Sequence, residues 1–120
     1  MLNLDTHIVV HALAGTLKPQ EQHILERQAW GVSAIVFWEL AKLVKLGRIS
    51  LNLDDPNMAR ALDSLHVWPI SLRIAQVSTN LDFRSDPADE LIAATSVVHG
   101  IPLVTRDQKI RQSKIVPFIE

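Results

Sequence analysis

The stretch from Asp86 to Asp107, DPADELIAATSVVHGIPLVTRD, limits the fold more than any other part of the chain. Asp86 and Pro87 have the form of a helix N-cap and first helical residue, and Asp89 and Glu90 stand in the first turn, where acids suit the helix dipole. No charge occurs from Leu91 to Val98, so this helix is expected to be buried on most of its circumference. Gly100 supplies a terminator, and Pro102 prevents the helix from resuming. Leu103, Val104 and Thr105 then predict a short interior strand, from which Arg106 and Asp107 lead into another helix. A buried helix feeding a buried strand is a unit of an α/β sheet, here with acids where the helices begin.

The rest of the chain extends that unit. Met1 to Asp5 predicts a strand ending at Asp5, followed by a helix capped by Thr6, running to about Leu13 and closed by Gly15. Pro19 opens a mostly polar surface helix to about Ala29, which Gly31 breaks. Val32 to Ile35 predicts the second strand, and the following helix runs to Leu46 with Gly47 as its terminator. Asp54, Asp55 and Pro56 repeat the cap-and-proline signal, with Met58, Leu62 and Leu65 at helical spacing. Val67 to Ile70 predicts a third strand, and Ser71 caps a helix to about Leu81. Pro69 in that strand and Pro117 in a candidate fifth strand, Ile115 to Ile119, place both at sheet edges, because proline cannot donate to a ladder. The alternation predicts an α/β protein: a three-layer α/β/α fold around a parallel sheet of four to five strands, in one domain spanning residues 1–120.

Composition removes several function classes. A hydrophobic share of 48% supports one real core, and a formal charge of −1 gives no global basic field for nucleic acid. With no cysteine there are no disulfides, thiolate zinc sites or cysteine nucleophiles. The first residues carry Asp5 inside an apolar run and lack a basic leader, which argues against a signal peptide, and the uncharged run from Leu91 to Thr105 is too short for a bilayer. The expectation is a soluble, cytoplasmic protein with no membrane partner.

Ligands of open α/β sheets bind beyond the carboxyl ends of the strands. Asp5 ends the first strand, Asp107 follows the fourth, Glu39 stands in the first turn after the second, and Asp89 in the first turn of its helix. Four carboxylates brought together resist ionisation unless a cation neutralises them, and hard oxygen ligands suit Mg²⁺, or Mn²⁺ in its place. Metal-assisted phosphodiester hydrolysis is the natural chemistry of such a set. Taken singly, Asp5, Asp86, Asp89 and Asp107 are better explained by helix capping and the helix dipole. Glu39 is different, because AIVFWELAKLV is apolar on both sides of it, although an ion pair to Lys42 would satisfy it.

Other residues carry weaker signals. His7 and His11 are one helical turn apart, a metal-binding spacing that lacks a third ligand. Lys42, Lys45 and Arg48 follow Glu39 at three-residue steps and can steer a phosphate backbone, though a solvated helix face is at least as good an account of them. Trp30, Trp38 and Trp68 can stack on bases, but core packing is the better account of Trp38 and Trp68. Thr105 is either an ordinary strand residue or a hydroxyl that holds a water at the metal.

Four segments, LDTHIVVHAL, VSAIVFWELAKLVKLGRI, DPADELIAATSVVHGIPLVTRD and VPFIE, together resemble the corresponding segments of PIN-domain toxins of the VapC type, in the same order along essentially the whole chain. The resemblance implies a PIN fold, Mg²⁺-dependent endoribonuclease activity on an RNA substrate, a cognate VapB-type antitoxin and a homodimer. It places the catalytic, metal-holding acids at Asp5, Glu39, Asp89 and Asp107, with Asp86 and Thr105 supporting them, and no acid of the set is missing. One or two Mg²⁺ ions would hold the phosphate and activate a water. Three alternatives stand beside it: a module of the same fold that binds RNA or a partner without cutting, a nuclease acting on DNA, and a phosphoacceptor receiver domain. The last needs a lysine closing the acidic pocket, and Lys109 and Lys114 are poorly placed for that.

Overall fold

Parallel strands can be joined only by crossover connections, and in this chain the crossovers are helical. The computed structural model describes residues 1–119. In chain order the elements are β1 (Leu2–Leu4), α1 (Thr6–Ala14), α2 (Pro19–Leu25), β2 (Trp30–Ser33), α3 (Ile35–Lys45), α4 (Pro56–Asp63), β3 (His66–Trp68), α5 (Leu72–Ser78), α6 (Pro87–His99), β4 (Leu103–Val104) and α7 (Gln108–Arg111). The strands lie in the order β3-β2-β1-β4, and every pair is parallel. The chain adds β2 and β3 on one side of β1 and then returns to add β4 on the other. That reversal opens a crevice between the carboxyl ends of β1 and β4.

Alternation along β1 separates the two faces of the sheet. Leu2 and Leu4 are fully buried, and Leu62 of α4 and Leu65 after it pack against the core on the side where Leu4 and Val9 line a small cavity with them. Asn3 points to the other face, where its amide donates to the Ile92 carbonyl at 3.0 Å and to Ser96 Oγ at 2.9 Å. This pair of bonds fixes the depth and register of α6 on the sheet. Ala93, Ala94 and Ser96 are fully buried there, and their small side chains let the helix sit close. The expectation that α6 is buried on most of its circumference holds, and Gly100 ends it in the left-handed conformation at φ 65°. No helix among the described residues is long and apolar enough to cross a membrane.

Several expected boundaries move, each for a local reason. Helix α2 stops at Leu25, not near Ala29, and the Leu25 carbonyl accepts the Trp30 indole N–H at 2.6 Å. The second strand is Trp30–Ser33 in place of 32–35, because Ile35 already begins α3. The third is His66–Trp68, ending before Pro69, and it does lie at the edge. Helix α5 ends at Ser78, where Thr79 Oγ1 and Asn80 Nδ2 both turn back to the Gln76 carbonyl. The expected fifth strand is a single parallel bridge, Leu103 to Phe118, beside β4. Thr6 is the first residue of α1 and not its cap; Asp5 holds that position.

Gly31 does not break a helix but lies inside β2 beneath the Trp68 indole, which is 7% exposed and stacked on His99 at 5.8 Å between ring centroids. A Cβ at Gly31 would stand 2.6 Å from two carbons of that indole. Gly31→Ala is therefore expected to destabilise the protein by about 1–3 kcal/mol through overpacking, despite the lower chain entropy of alanine in the unfolded state. The check is a double-mutant cycle: in a Trp68→Leu background, where the six-membered ring is gone, the same substitution should cost much less. An equal cost in both backgrounds would mean that the indole is not what excludes a side chain from position 31.

Candidate functional site

At the end of β1 the backbone N–H of Asp5 donates to the Val104 carbonyl at 3.1 Å, so the residues that follow β1 and β4 enter the crevice side by side. Asp5 is 5% exposed. Its Oδ2 accepts the Thr105 hydroxyl at 2.7 Å, while its buried Oδ1 has no hydrogen-bond partner. Burial pushes the Asp5 carboxyl above the ordinary range, against the lowering effect of Thr105. Thr105 Oγ1 also accepts the Asp107 backbone N–H at 3.1 Å. One hydroxyl thus ties two of the expected acids together.

Helices α3 and α6 bring in the others, α6 with Asp89 in its first turn as expected, α3 with Glu39 in its second turn and not its first, because the helix already begins at Ile35. Glu39 is half-buried and accepts the hydroxyl of the fully buried Thr6 at 2.5 Å. The expected ion pair with Lys42 does not form; Lys42 instead lies over the Trp38 ring, 5.6 Å from its centroid. Burial raises the Glu39 carboxyl, and the charges of Asp5 and Asp86 raise it further. Asp89 Oδ2 accepts the Ser85 hydroxyl at 2.9 Å. Its carboxyl is pushed up to about 6, mainly by burial, with Asp5, Glu39 and Asp86 adding repulsion. The charge of Asp107 raises Asp5 in turn, and Asp5, His7, Asp89, Arg106 and Asp107 line one cavity of about 250 Å³.

The capping account holds for only one of these acids. Asp107 Oδ1 accepts from Lys109 N at 2.9 Å and Ile110 N at 3.2 Å, so it caps α7 while also lining the cavity. Asp5 and Asp86 occupy cap positions, but neither side chain makes a capping hydrogen bond. Asp86 is exposed and faces a neighbouring cleft with Glu39. Lys45 and Arg48 are exposed and line neither cavity.

Among the described residues no three His, Asp or Glu side chains stand together as a closed ligand set. Mg²⁺ does not require one, since it keeps several waters and uses one or two carboxylates. A buried carboxylate oxygen without a partner, beside acids whose ionisation is suppressed, fits such a cation.

Sequence reasoning missed the basic side of the cleft. Arg106 Nε and Nη2 donate to the Glu21 carboxylate at 2.7 and 2.6 Å, and Nη1 donates to His11 Nε2 at 3.0 Å. Arginine has only donors, so His11 is neutral and passes its Nδ1–H to Thr16 Oγ1 at 2.7 Å. Burial and the Arg106 charge lower its pKa. His11 therefore does not pair with His7 as a metal-binding couple; His7 alone lines the acidic cavity. No spacing signal connects Glu21 to Arg106, which are 85 residues apart.

Comparison with known proteins agrees with this architecture. The PIN domain family model matches residues 3–115. Ribonuclease VapC22 of Mycobacterium tuberculosis is 31% identical over 121 residues, covering 92% of this chain and 90% of that protein. A toxin–antitoxin complex from Klebsiella pneumoniae superposes with a TM-score of 0.75 at 22% identity, over 100% of this chain and 97% of that one. The crystal structure of FitAcB from Neisseria gonorrhoeae gives 0.74 at 22%, with the same coverage. With a family model spanning nearly its whole length and a relative at this level of identity, the chain belongs to the PIN-domain family, in its VapC-type branch.

Proposed function

We propose that this protein is the toxin of a type II toxin–antitoxin pair, a Mg²⁺-dependent endoribonuclease that hydrolyses RNA phosphodiester bonds. The observation that carries the reading is the unpartnered, buried Oδ1 of Asp5 at the sheet's reversal, with Asp89 and Asp107 lining the same cavity and Glu39 and Asp86 in the cleft beside it. Family membership and the ribonuclease among its relatives support the same chemistry.

Asp5, Glu39, Asp89 and Asp107 are the residues that would hold the ion, directly or through water. Mg²⁺, or Mn²⁺ in its place, supplies Lewis acidity to the phosphate and lowers the pKa of a nearby water. Thr105 holds Asp5 Oδ2 by its hydroxyl, which leaves Oδ1 without a partner of the chain's own. Thr6 and Ser85 do the same for Glu39 and Asp89, fixing one oxygen of each. Asp86 adds negative charge without a hydrogen-bonding duty at its helix start, and its position supports a part in retaining the ion. Lys42 lies nearest the acids among the three expected RNA-contacting cations; Lys45 and Arg48 would meet more distant phosphates. In the resting pair, a basic side chain of a VapB-type antitoxin would neutralise the acids in place of the ion, and the toxin would be a homodimer.

Purified protein should cleave single-stranded RNA with Mg²⁺ and lose that activity in chelator. Glu39→Gln and Asp5→Asn should lose it while melting no lower than wild type without metal, because both relieve repulsion. Thr105→Val, which removes the hydroxyl linking Asp5 to Asp107, should lower the rate about 10–100-fold. RNA binding without cleavage in either metal would favour the non-catalytic module, and equal cutting of the matching DNA would change the substrate.

The raised carboxyl of Asp89 sets a pH dependence. Between its ordinary value of 3.8 and about 6, the folded protein binds more protons than the unfolded chain. The stability of the metal-free protein should therefore fall as pH rises through that window and level off above it. Mg²⁺ competes with the same proton, so its apparent affinity should rise over the same range. Thermal melts with and without Mg²⁺, at about pH 5 and about pH 8, check both signs. A hundredfold excess over the dissociation constant is expected to add about 2.7 kcal/mol. Metal stabilisation that is equal at both pH values would remove Asp89 from the ion's surroundings.

A further inference from the structure

Trp38 is 55% exposed on α3, immediately before Glu39. Sequence reasoning assigned it to the core, and the other two tryptophans do have structural duties: Trp68 is buried over Gly31, and Trp30 donates its indole N–H to Leu25. Trp38 instead forms a wall of a cleft of about 270 Å³, together with Lys42, Leu43, Pro87 and Ala88, that borders Glu39 and Asp86. Pockets that enclose a drug-sized ligand run to about 300–1,000 Å³, so this one suits a single flat ring system. Lys42 Nζ lies 5.6 Å from the indole centroid.

We infer that Trp38 is a stacking platform for one base of the RNA strand, next to the phosphate held by the acids. This rests on the ribonuclease reading above. The charges in the cleft choose between the parts of a nucleotide. Glu39 and Asp86 would repel a phosphate seated on the indole, whereas a base is neutral, offers a π-face, and carries N–H groups that a carboxylate accepts. Lys42, one turn along the helix and over the indole in the free protein, would swing off the ring as the base stacks and meet the phosphate that follows it. The bases of single-stranded RNA are free to be splayed in this way; those in a duplex are not. An acidic peptide is disfavoured by the same two carboxylates.

The test uses full-length protein, Mg²⁺ and short single-stranded RNAs carrying one abasic nucleotide at each position around the mapped cut. Trp38→Ala should raise KM by about 5–150-fold, with its melting temperature and Mg²⁺ dependence unchanged, and Trp38→Phe should recover most of the loss. For wild type, the abasic change should cause a similar loss at one position only, and at that position it should cost Trp38→Ala nothing further. A KM within twofold of wild type for Trp38→Ala, or losses that add at every position, would overturn the platform while leaving the nuclease intact. A loss that instead tracks dissociation of the dimer in sedimentation would also overturn it, assigning Trp38 to an interface between copies. Failure of wild type to cut any RNA with Mg²⁺ or Mn²⁺ would overturn the ribonuclease reading itself, and this one with it.

Discussion

The Thr105 hydroxyl is the contact on which the cleft depends. Strands β1 and β4 are neighbours only because the chain reverses its order of strand addition, and their carboxyl ends deliver Asp5 and Thr105 to the same place. A carboxylate as buried as Asp5 is expensive unless it is hydrogen-bonded. Thr105 satisfies one oxygen and, through the Asp107 N–H, also sets the backbone that leads into α7. The other oxygen remains without a partner. Half-satisfying a buried acid is a poor way to stabilise a fold, and the imbalance favours a cation beside that oxygen.

The remaining acids depend on how α3 and α6 are held. Asn3, buried between Leu2 and Leu4 on the opposite face of β1, bonds α6 at Ile92 and Ser96 and so fixes how far Asp89 projects past the strand ends. Thr6 plays the corresponding part for α3: it is the first residue after Asp5, and its hydroxyl reaches Glu39. The segment Asn3 to Thr6 therefore positions three acids at once, through one backbone and two polar side chains. The Arg106–Glu21 pair closes the far wall, tying the α1–α2 region to the residue that follows Thr105. Its guanidinium is occupied by Glu21 and His11, so it borders the acids without neutralising them outright.

Much of this was legible in the sequence, because local chemistry dictates it. Asp86-Pro87 and Asp55-Pro56 each start a helix as expected, and Gly100 ends one. What misled the reading was tertiary. Gly31 resembles a helix breaker until Trp68, from the next strand, is seen to need its missing side chain. Trp38 resembles a core residue because its neighbours in sequence are apolar, yet Val36 and Leu40 take the buried face and leave it outside. The acids that the proposed function uses stand out in the sequence, but Thr6 and Ser85, which bond Glu39 and Asp89, and Glu21, which holds Arg106, do not: hydroxyls and surface acids carry no spacing signal of their own. Capping was a fair account of each acid in isolation, and only the geometry separates Asp107, which caps, from Asp5 and Asp86, which do not.

The same geometry explains why acids placed at helix starts need not act as caps. A helix N-terminus attracts negative charge whether or not the side chain bonds to its N–H groups. At α1 and α6 the field is present although neither Asp5 nor Asp86 makes a capping hydrogen bond. Each helix thus lowers the cost of holding a carboxylate at the cleft without tying up its oxygens. The field falls off within the first turn and is shared among several acids, so it offsets their mutual repulsion only in part, as the raised carboxyls of Asp5, Glu39 and Asp89 record. What remains is a demand for positive charge that the chain's own cations do not meet: Arg106 is committed to Glu21, and Lys42 lies on Trp38. A proton, a divalent ion or a basic side chain from a partner can each supply that charge. Because all three would satisfy the same acids, they compete, and under the proposed function that competition would link acidity, catalysis and inhibition at a single place in the fold.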